Sequence, residues 1–251
     1  MEVVPSRIFN LLYIYIDIIW LVIFIIILLF TKRYLAIIVG SVGAIIYFLV
    51  DYGIFYHALG TREVNGINTL VLLLWLSISY GFTNFTWIWL WLDRDGFALE
   101  WSILIVSGWL ATALLSQNFG NNFQVISIKR GTSSYHGIMA LLMFVGYTIL
   151  IIYNLKSNRV DNKNNNKLNK PAKKINILWI LSIGIIVQFS WEAVLLISGI
   201  RAAGLAPLII NSLIETNMGL PYIFLIHKAV TARFNENLTK INPQLNGQKL
   251  T

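Results

Sequence analysis

The chain has 251 residues, of which 57% are hydrophobic, 14% aromatic and 12% charged; it carries a formal net charge of +8 and no cysteine. A soluble domain carries about 25% charged residues. The composition therefore excludes an ordinary soluble enzyme, a disordered chain and a coiled coil, and it indicates a helical membrane protein. The lack of cysteine excludes disulfides, thiol catalysis and thiolate metal sites.

Apolar blocks divide the chain into helices of membrane-spanning length, which is about 20 residues. The prediction is an all-α, polytopic bundle of seven transmembrane helices in a single membrane domain over 1–234, followed by a polar tail over 235–251. A basic, Asn-rich connection over 156–174 is expected to be mobile. The predicted spans are 9–31, 34–56, 68–91, 101–118, 135–155, 176–199 and 205–227.

The distribution of Lys and Arg predicts the orientation of the bundle. With the N-terminus outside, the inside segments hold 14 of the 19 basic residues and the outside segments hold 5. We therefore expect the N-terminus outside and the C-terminus inside. The amino-acid composition of the chain favours the prokaryotic plasma membrane. The positive charge is a topology signal on this interpretation, so the expected partner is the lipid bilayer and no nucleic acid is expected.

Acidic residues within the spans are the strongest candidates for function, because a charge at the bilayer centre costs about 2.5–3.5 kcal/mol. Asp17, Asp51, Glu192 and Glu215 lie on four different predicted helices. No Lys or Arg is expected deep in a span to neutralise them, so they are expected to be at least partly protonated. Counting at about 1.5 Å per residue places all four in one layer, where a single cavity is expected.

Residues three or four positions from these acids share their helix faces. The faces carry amides and aromatic rings, which predicts a pocket of carboxyls, amides and rings. Asp17, Gln188, Glu192, Asn211 and Asn217 are the predicted supporting residues. The predicted lining residues are Trp20, Tyr47, Phe55, Tyr80, Asn84, Trp87 and Trp191.

The sequence lacks the residues that several other functions require. A retinal Schiff base needs a lysine within 205–227, and that stretch contains none. Walker, GxSxG and HExxH motifs are also absent from the sequence. The scattered histidines give no metal-ligand spacing, so neither a metal nor a cofactor is expected. Asp93 and Asp95 form an Asp-Arg-Asp turn that is interpreted as a solvated loop, with a bound metal as the alternative.

The layout resembles that of the small seven-helix membrane terpene cyclases of meroterpenoid and indole-diterpene biosynthesis. The resemblance rests on a carboxylate in the second helix, in Tyr47-Phe-Leu-Val-Asp51, and one in the seventh, in Glu215-Thr-Asn-Met-Gly219 followed later by Lys228. The family has Trp-Glu in helix two and Asp in helix seven. Here the two acids are exchanged in type, and Asp51 follows Val50.

The resemblance implies an enzyme that protonates an alkene or epoxide of a prenyl chain and lets successive double bonds attack the carbocation. It assigns Glu215 or Asp51 as the general acid, with the other carboxyl orienting it or accepting the final proton. The implied substrate is a hydrophobic, prenylated small molecule, and no metal is implied. Two alternatives remain open: a proton-coupled carrier of a small lipophilic solute, and a non-catalytic membrane receptor or assembly factor.

Overall fold

A computed structural model describes residues 6–131, 135–163, 174–202 and 204–241. Within these ranges, six helices are long and apolar enough to cross a membrane, and they begin and end within three residues of six predicted spans. These helices indicate a multi-pass integral membrane protein. Their bounds are Leu11–Phe30, Tyr34–Ala58, Thr69–Leu92, Ala98–Phe119, His136–Lys156 and Ile177–Ile197.

Two of the spans change from α- to π-helical geometry along their length. The second consists of α2 and a π-helical segment, and the third has a π-helical segment between α3 and α4. The α-helices are α1 Leu11–Phe30, α2 Tyr34–Phe48, α3 Thr69–Leu76, α4 Phe82–Leu92, α5 Ala98–Phe119, α6 His136–Lys163, α7 Ile177–Ile197, α8 Leu205–Ile214 and α9 Leu220–Ile241. The π-helical segments are Leu49–Ala58 and Ser77–Gly81.

The first residues of the predicted basic loop and of the predicted polar tail belong to helices. Helix α6 continues to Lys163, past the predicted helix end at 155, and α9 continues to Ile241, into the predicted tail. The rest of the predicted basic loop, residues 164–173, lies outside the described residues, as does the end of the tail, 242–251.

A small antiparallel sheet corrects the all-α prediction. Strands β1 (Ser6–Asn10), β2 (Arg62–Asn65) and β3 (Val125–Arg130) pair in the order β1-β3-β2. Ile126 and Ile128 are fully buried, as the alternation of side chains along a strand requires for one face against the core. Each strand is short and pairs with a distant segment, so no local pattern in the sequence indicates the sheet.

The sheet and the tight connections define two opposite ends of the bundle. An isolated bridge between Arg7 and Arg201 brings the α7–α8 connection beside the sheet, and we call this the sheet end. At the other end, Arg33 forms an ion pair with Asp95, and His227 lies 2.6 Å from Asp93. We call this the loop end. The spans therefore alternate in direction, as predicted.

The seventh predicted span, 205–227, is not one continuous helix. It consists of α8, a turn over residues 215–219, and α9, with Pro221 in the first turn of α9, where its missing N–H costs nothing. Asn217 anchors the turn. It accepts a hydrogen bond from the Tyr147 hydroxyl at 2.7 Å, and it packs so tightly on Gly184 that a Cβ there would lie 2.3 Å from its Oδ1.

Candidate functional site

A cavity of about 250 Å³ lies where the second and third spans meet α7 and the turn after α8. Polar and charged groups from six elements face it: Tyr47, Asp51, Arg62, Tyr80, Asn84, Arg130, Gln188, Glu215 and Thr216. The rest of the lining is mainly apolar and includes Ile46, Val50, Phe55, Phe85, Ile88, Met139, Met218 and Ile223. The site is therefore an apolar chamber with one strongly polar wall.

Both π-helical segments contribute to this wall. Asp51 and Phe55 lie on the first segment, and Tyr80 and Gly81 lie on the second. Wider π-helical turns often occur at functional sites, since they change the direction in which side chains project from a helix. The side-chain spacing of an ordinary α-helix predicted the shared face of Tyr47 and Asp51, and both residues line the cavity.

Asp51 is held by two arginines from the sheet. Its Oδ1 accepts from Arg62 Nε at 2.7 Å and from Arg130 Nη2 at 3.1 Å. Arg62 and Arg130 are direct partners across β2 and β3, so their side chains project on the same side of the sheet and reach one carboxylate. The expectation that no basic residue neutralises the buried acids is wrong for Asp51.

Glu192 has its own pair of arginines. Arg201 Nη1 donates a hydrogen bond to its Oε2, and Arg7 Nη2 lies 3.7 Å from its Oε1. Asn211 donates a further hydrogen bond at 3.2 Å. The expectation of an unneutralised acid is therefore wrong here too. The reason is shared with Asp51: segments predicted as outer loops fold over the bundle and bury their arginines.

Glu215 differs from both, because it forms no ion pair among the described residues although it lines the cavity. Its Oε2 accepts from Gln188 Nε2 at 2.9 Å. The orientation of that amide is fixed, since Gln188 Oε1 accepts from the hydroxyls of Tyr80 at 2.7 Å and Thr216 at 2.8 Å. Oε1 of Glu215 has no protein partner among these contacts.

Arg62 and Arg130, the two arginines that hold Asp51, are protonated at neutral pH. Burial lowers the pKa of Arg62 to about 10, and repulsion from Arg130 acts in the same direction, against the attraction of Asp51. Burial also opposes the charge of Arg130, but Asp51 and Tyr47 outweigh it and raise the pKa of that guanidinium well above its usual value. The wall is therefore cationic around Asp51.

The structure places the other predicted site residues away from the cavity lining. Asp17 is buried and accepts from Trp75 Nε1 at 2.9 Å, and Asn217 supports the turn. Three tryptophans predicted to line the pocket pack in the core instead. Trp20 stacks on Phe24, Trp87 donates to Ser102 at 2.8 Å, and Trp191 meets Trp109 edge to face.

The sequence patterns indicated neither of the two arginines of the polar wall, Arg62 and Arg130, nor its Thr216. Both arginines follow spans at the sheet end, where a positive charge resembles that of an ordinary loop residue. Asp93 and Asp95, considered for a metal, pair with His227 and Arg33. In the part of the chain that the structure describes, no cluster of three or more His, Asp or Glu is arranged to hold a metal ion.

The fold and the site together indicate a multi-pass membrane protein with a cavity between its helices. Comparisons with known protein families, with curated proteins and with solved structures found no match.

Proposed function

We propose that the chain is a membrane-embedded terpene cyclase in which Glu215 protonates a prenyl or epoxy-prenyl chain. One observation carries the proposal: a carboxyl without an ion pair among the described residues lines a largely apolar cavity. Desolvation disfavours the charged form of such a group. A half-buried carboxyl that is kept neutral in this way is the proton donor that this chemistry requires.

The hydrogen bond from Gln188 supports the role of Glu215. When Glu215 is protonated, its Oε2 accepts from the Gln188 amide as a carbonyl oxygen, at the observed 2.9 Å. The proton then resides on Oε1, the oxygen without a protein partner. Tyr80 and Thr216 prevent the amide from turning its oxygen towards Glu215.

Asp51 fits a supporting role better than that of the acid. Two guanidinium groups stabilise its charged form, which holds it as a carboxylate. Of the two carboxyls considered as the acid, Glu215 is therefore the one we assign as the donor. Asp51 fixes the two arginines in the wall.

The cavity has room for a small isoprenoid. An apolar cavity of about 150 Å³ holds one benzene ring, so about 250 Å³ accommodates a chain of roughly ten carbon atoms on the same scale. The rings of Phe55, Phe85 and Tyr80 line it. A ring whose face is turned to a cation contributes about 2 kcal/mol in a desolvated site.

The reaction is an isomerisation that conserves every atom. The proton on Oε1 forms a C–H bond with an alkene carbon, or opens an epoxide to a hydroxyl, and the electron-deficient carbon is attacked by the next double bond. A C–C bond forms, and loss of a proton from a neighbouring carbon ends the sequence. The carboxylate of Glu215 lines the cavity and has no ion pair among the described residues, so it accepts that proton and is regenerated.

In the same proposal the chain crosses the membrane seven times, with α8 and α9 forming a broken seventh crossing. The turn between them places Glu215 inside the bundle. Unwound backbone at membrane depth is tolerated where it is buried in protein or lines a cavity. Residues 215, 216, 218 and 219 all line the cavity.

The test is conversion of prenyl and epoxy-prenyl compounds by the purified protein in nanodiscs, followed by mass spectrometry. We expect a product of equal mass and altered retention, and at least a hundredfold loss of rate in Glu215→Gln, in line with removal of a general acid. Glu63→Gln is the matched control, because Glu63 is an exposed residue on β2.

A product that Glu215→Gln forms as fast as the wild type would contradict the proposal. Absence of any isomer, together with proton-coupled movement of the same compounds across liposomes, would support the carrier instead. Binding without conversion or movement would support the receptor.

A further inference from the structure

The polar wall of the cavity carries one positive charge in excess when Glu215 is neutral, as the proposed function requires. Arg62 and Arg130 share one carboxylate, Asp51, so these three residues together have one positive charge without a partner. Glu192 supplies no balance, since Arg7 and Arg201 already surround it. A buried charge without a counter-ion is costly, so the wall is a place where an anion is stabilised.

Arg130 has unused hydrogen-bonding capacity. Its Nη2 donates to Tyr47 and Asp51, while its Nη1 forms no hydrogen bond among the described residues; its Nε also lacks a partner but is buried. The Arg130 side chain is 13% exposed and lines the cavity, whereas that of Arg62 is 0% exposed. A guanidinium group carries five N–H donors, so Arg130 is able to hold Asp51 and a ligand together.

We propose that Arg130 binds the carboxylate or phosphate head of an anionic amphiphile, with the fully buried Arg62 behind it adding positive charge, and that the apolar chain extends along Val50, Phe85 and Ile88. The inference rests on the proposed function in taking this cavity as the substrate site, and it names the class of substrate. Charge-assisted hydrogen bonds from a guanidinium to an oxyanion are stronger than those to a neutral hydroxyl.

An anionic head also favours the chemistry electrostatically. When Glu215 gives up its proton, its carboxylate balances the single excess positive charge of the wall. A bound carboxylate or phosphate adds a further negative charge, and this charge attracts the carbocation. The head therefore does more than anchor the substrate.

The experiment compares three ten-carbon ligands that share one prenyl chain, the size at which the cavity is filled. Geranic acid, geranyl phosphate and the alcohol geraniol are titrated into the full-length protein in nanodiscs at neutral pH. We expect the two anions to bind at least tenfold more tightly than the alcohol. In Arg130→Gln the difference shrinks to less than twofold, and in Lys129→Gln it is unchanged, because Lys129 pairs with Glu63 at the surface.

Arg130→Gln is expected to fold, since Asp51 keeps Arg62 as a balanced partner. Thermal unfolding checks this, and Arg130→Lys, which retains the charge, is expected to retain most of the preference for anions. Equal binding of acid and alcohol to the wild type would overturn the inference. So would an equal loss in Arg130→Gln and Lys129→Gln, or inorganic phosphate binding as tightly as geranyl phosphate.

The outcome is independent of catalysis, because only binding is measured. If the protein prefers anions but forms no isomerised product, the cyclase is refuted and the anion site is supported. If the acid and the alcohol bind with equal affinity and both are isomerised, the anion site is refuted and the cyclase is not.

Discussion

At the scale of single residues, Asp51 is the carboxylate on which the cavity wall depends. Replacing it with Asn leaves Arg62 and Arg130 buried side by side without an anion. Removing one partner of a buried ion pair typically costs about 3–5 kcal/mol. We expect Asp51→Asn to lower the free energy of unfolding by that amount, measured by denaturant titration in detergent micelles.

The control for Asp51→Asn is Glu63→Gln. Its ion pair with Lys129 is exposed, with 61% of the Glu63 side chain accessible, so a change of about 0–1 kcal/mol is expected. Equal losses in the two variants would show that the arginines do not need Asp51.

Asp95 at the loop end gives a pH-dependent prediction. Partial burial acts to raise its pKa, but hydrogen bonds from Arg33 and from the backbone N–H of Phe97 outweigh it and hold the pKa below its usual value. A depressed folded-state pKa contributes stability that is present above the unfolded value of about 3.9 and is lost as pH falls through the folded value.

We therefore expect Asp95→Asn to unfold more easily than the wild type at neutral pH. The gap between the two should narrow as the pH falls below about 4, near the unfolded-state value. Unfolding midpoints measured across this range check the expectation. A gap that stays constant with pH would mean that the charge of Asp95 contributes nothing.

Some residues that the sequence singled out line the cavity, and others of its lining were missed for a physical reason. Helical spacing placed Tyr47 with Asp51, and both line the cavity, as do Gln188 and Glu215. Arg62 and Arg130 were not predicted, because their role depends on a strand pairing between residues 68 positions apart. Spacing along one helix contains no information about such a contact.

At the scale of elements, α2 packs closely on the third span through glycines. A Cβ on Gly43 would lie 2.2 Å from Phe85 Cγ, and one on Gly40 would lie 2.2 Å from Thr86 Oγ1. Small residues let helices approach in this way. Since Phe85 lines the cavity, the spacing of these two elements also sets the width of the chamber.

Gly43→Ala is therefore expected to destabilise the protein by about 1–3 kcal/mol through overpacking, and to weaken binding of the ten-carbon acid by moving Phe85. Gly53→Ala on the same span is the matched control, because nothing lies within 4 Å of its Cβ. That change is expected to be neutral or to stabilise by up to about 1 kcal/mol. Unfolding and binding measured on both variants test the prediction, which a stable Gly43→Ala with normal binding would contradict.

Long apolar elements were predictable because length and hydropathy are local properties. Six predicted spans match helices within three residues. Each of the three strands has six residues or fewer, which is too short for a clear local pattern. Their pairing therefore depends on tertiary contacts that the sequence does not reveal. The turn that carries Glu215 breaks a continuous apolar stretch, and among local signals only Gly219 and Pro221 indicate it.

At the scale of the whole molecule, the burial of arginines at the sheet end affects the argument for the orientation of the bundle in the membrane. Of the five basic residues assigned to the outside, Arg7, Arg62 and Arg201 are buried and Arg130 is mostly so, while only Lys129 is largely exposed. Most positive charge of the sheet end is thus enclosed in the protein. At the loop end, by contrast, the exposed basic residues of the described ranges include Lys32, Arg94, Lys156, Lys174 and Arg233. This difference supports the proposal that the sheet end faces outside.

The absence of cysteine makes this orientation directly testable, since any introduced thiol is unique. Glu63→Cys places it on the exposed face of the sheet, and Glu100→Cys places it at an exposed position in the first turn of α5, at the loop end. We expect a membrane-impermeant maleimide to label Glu63→Cys in intact cells and Glu100→Cys only after permeabilisation. The opposite pattern would reverse the orientation. Labelling of both in intact cells would mean that the two ends do not lie on opposite sides of the membrane.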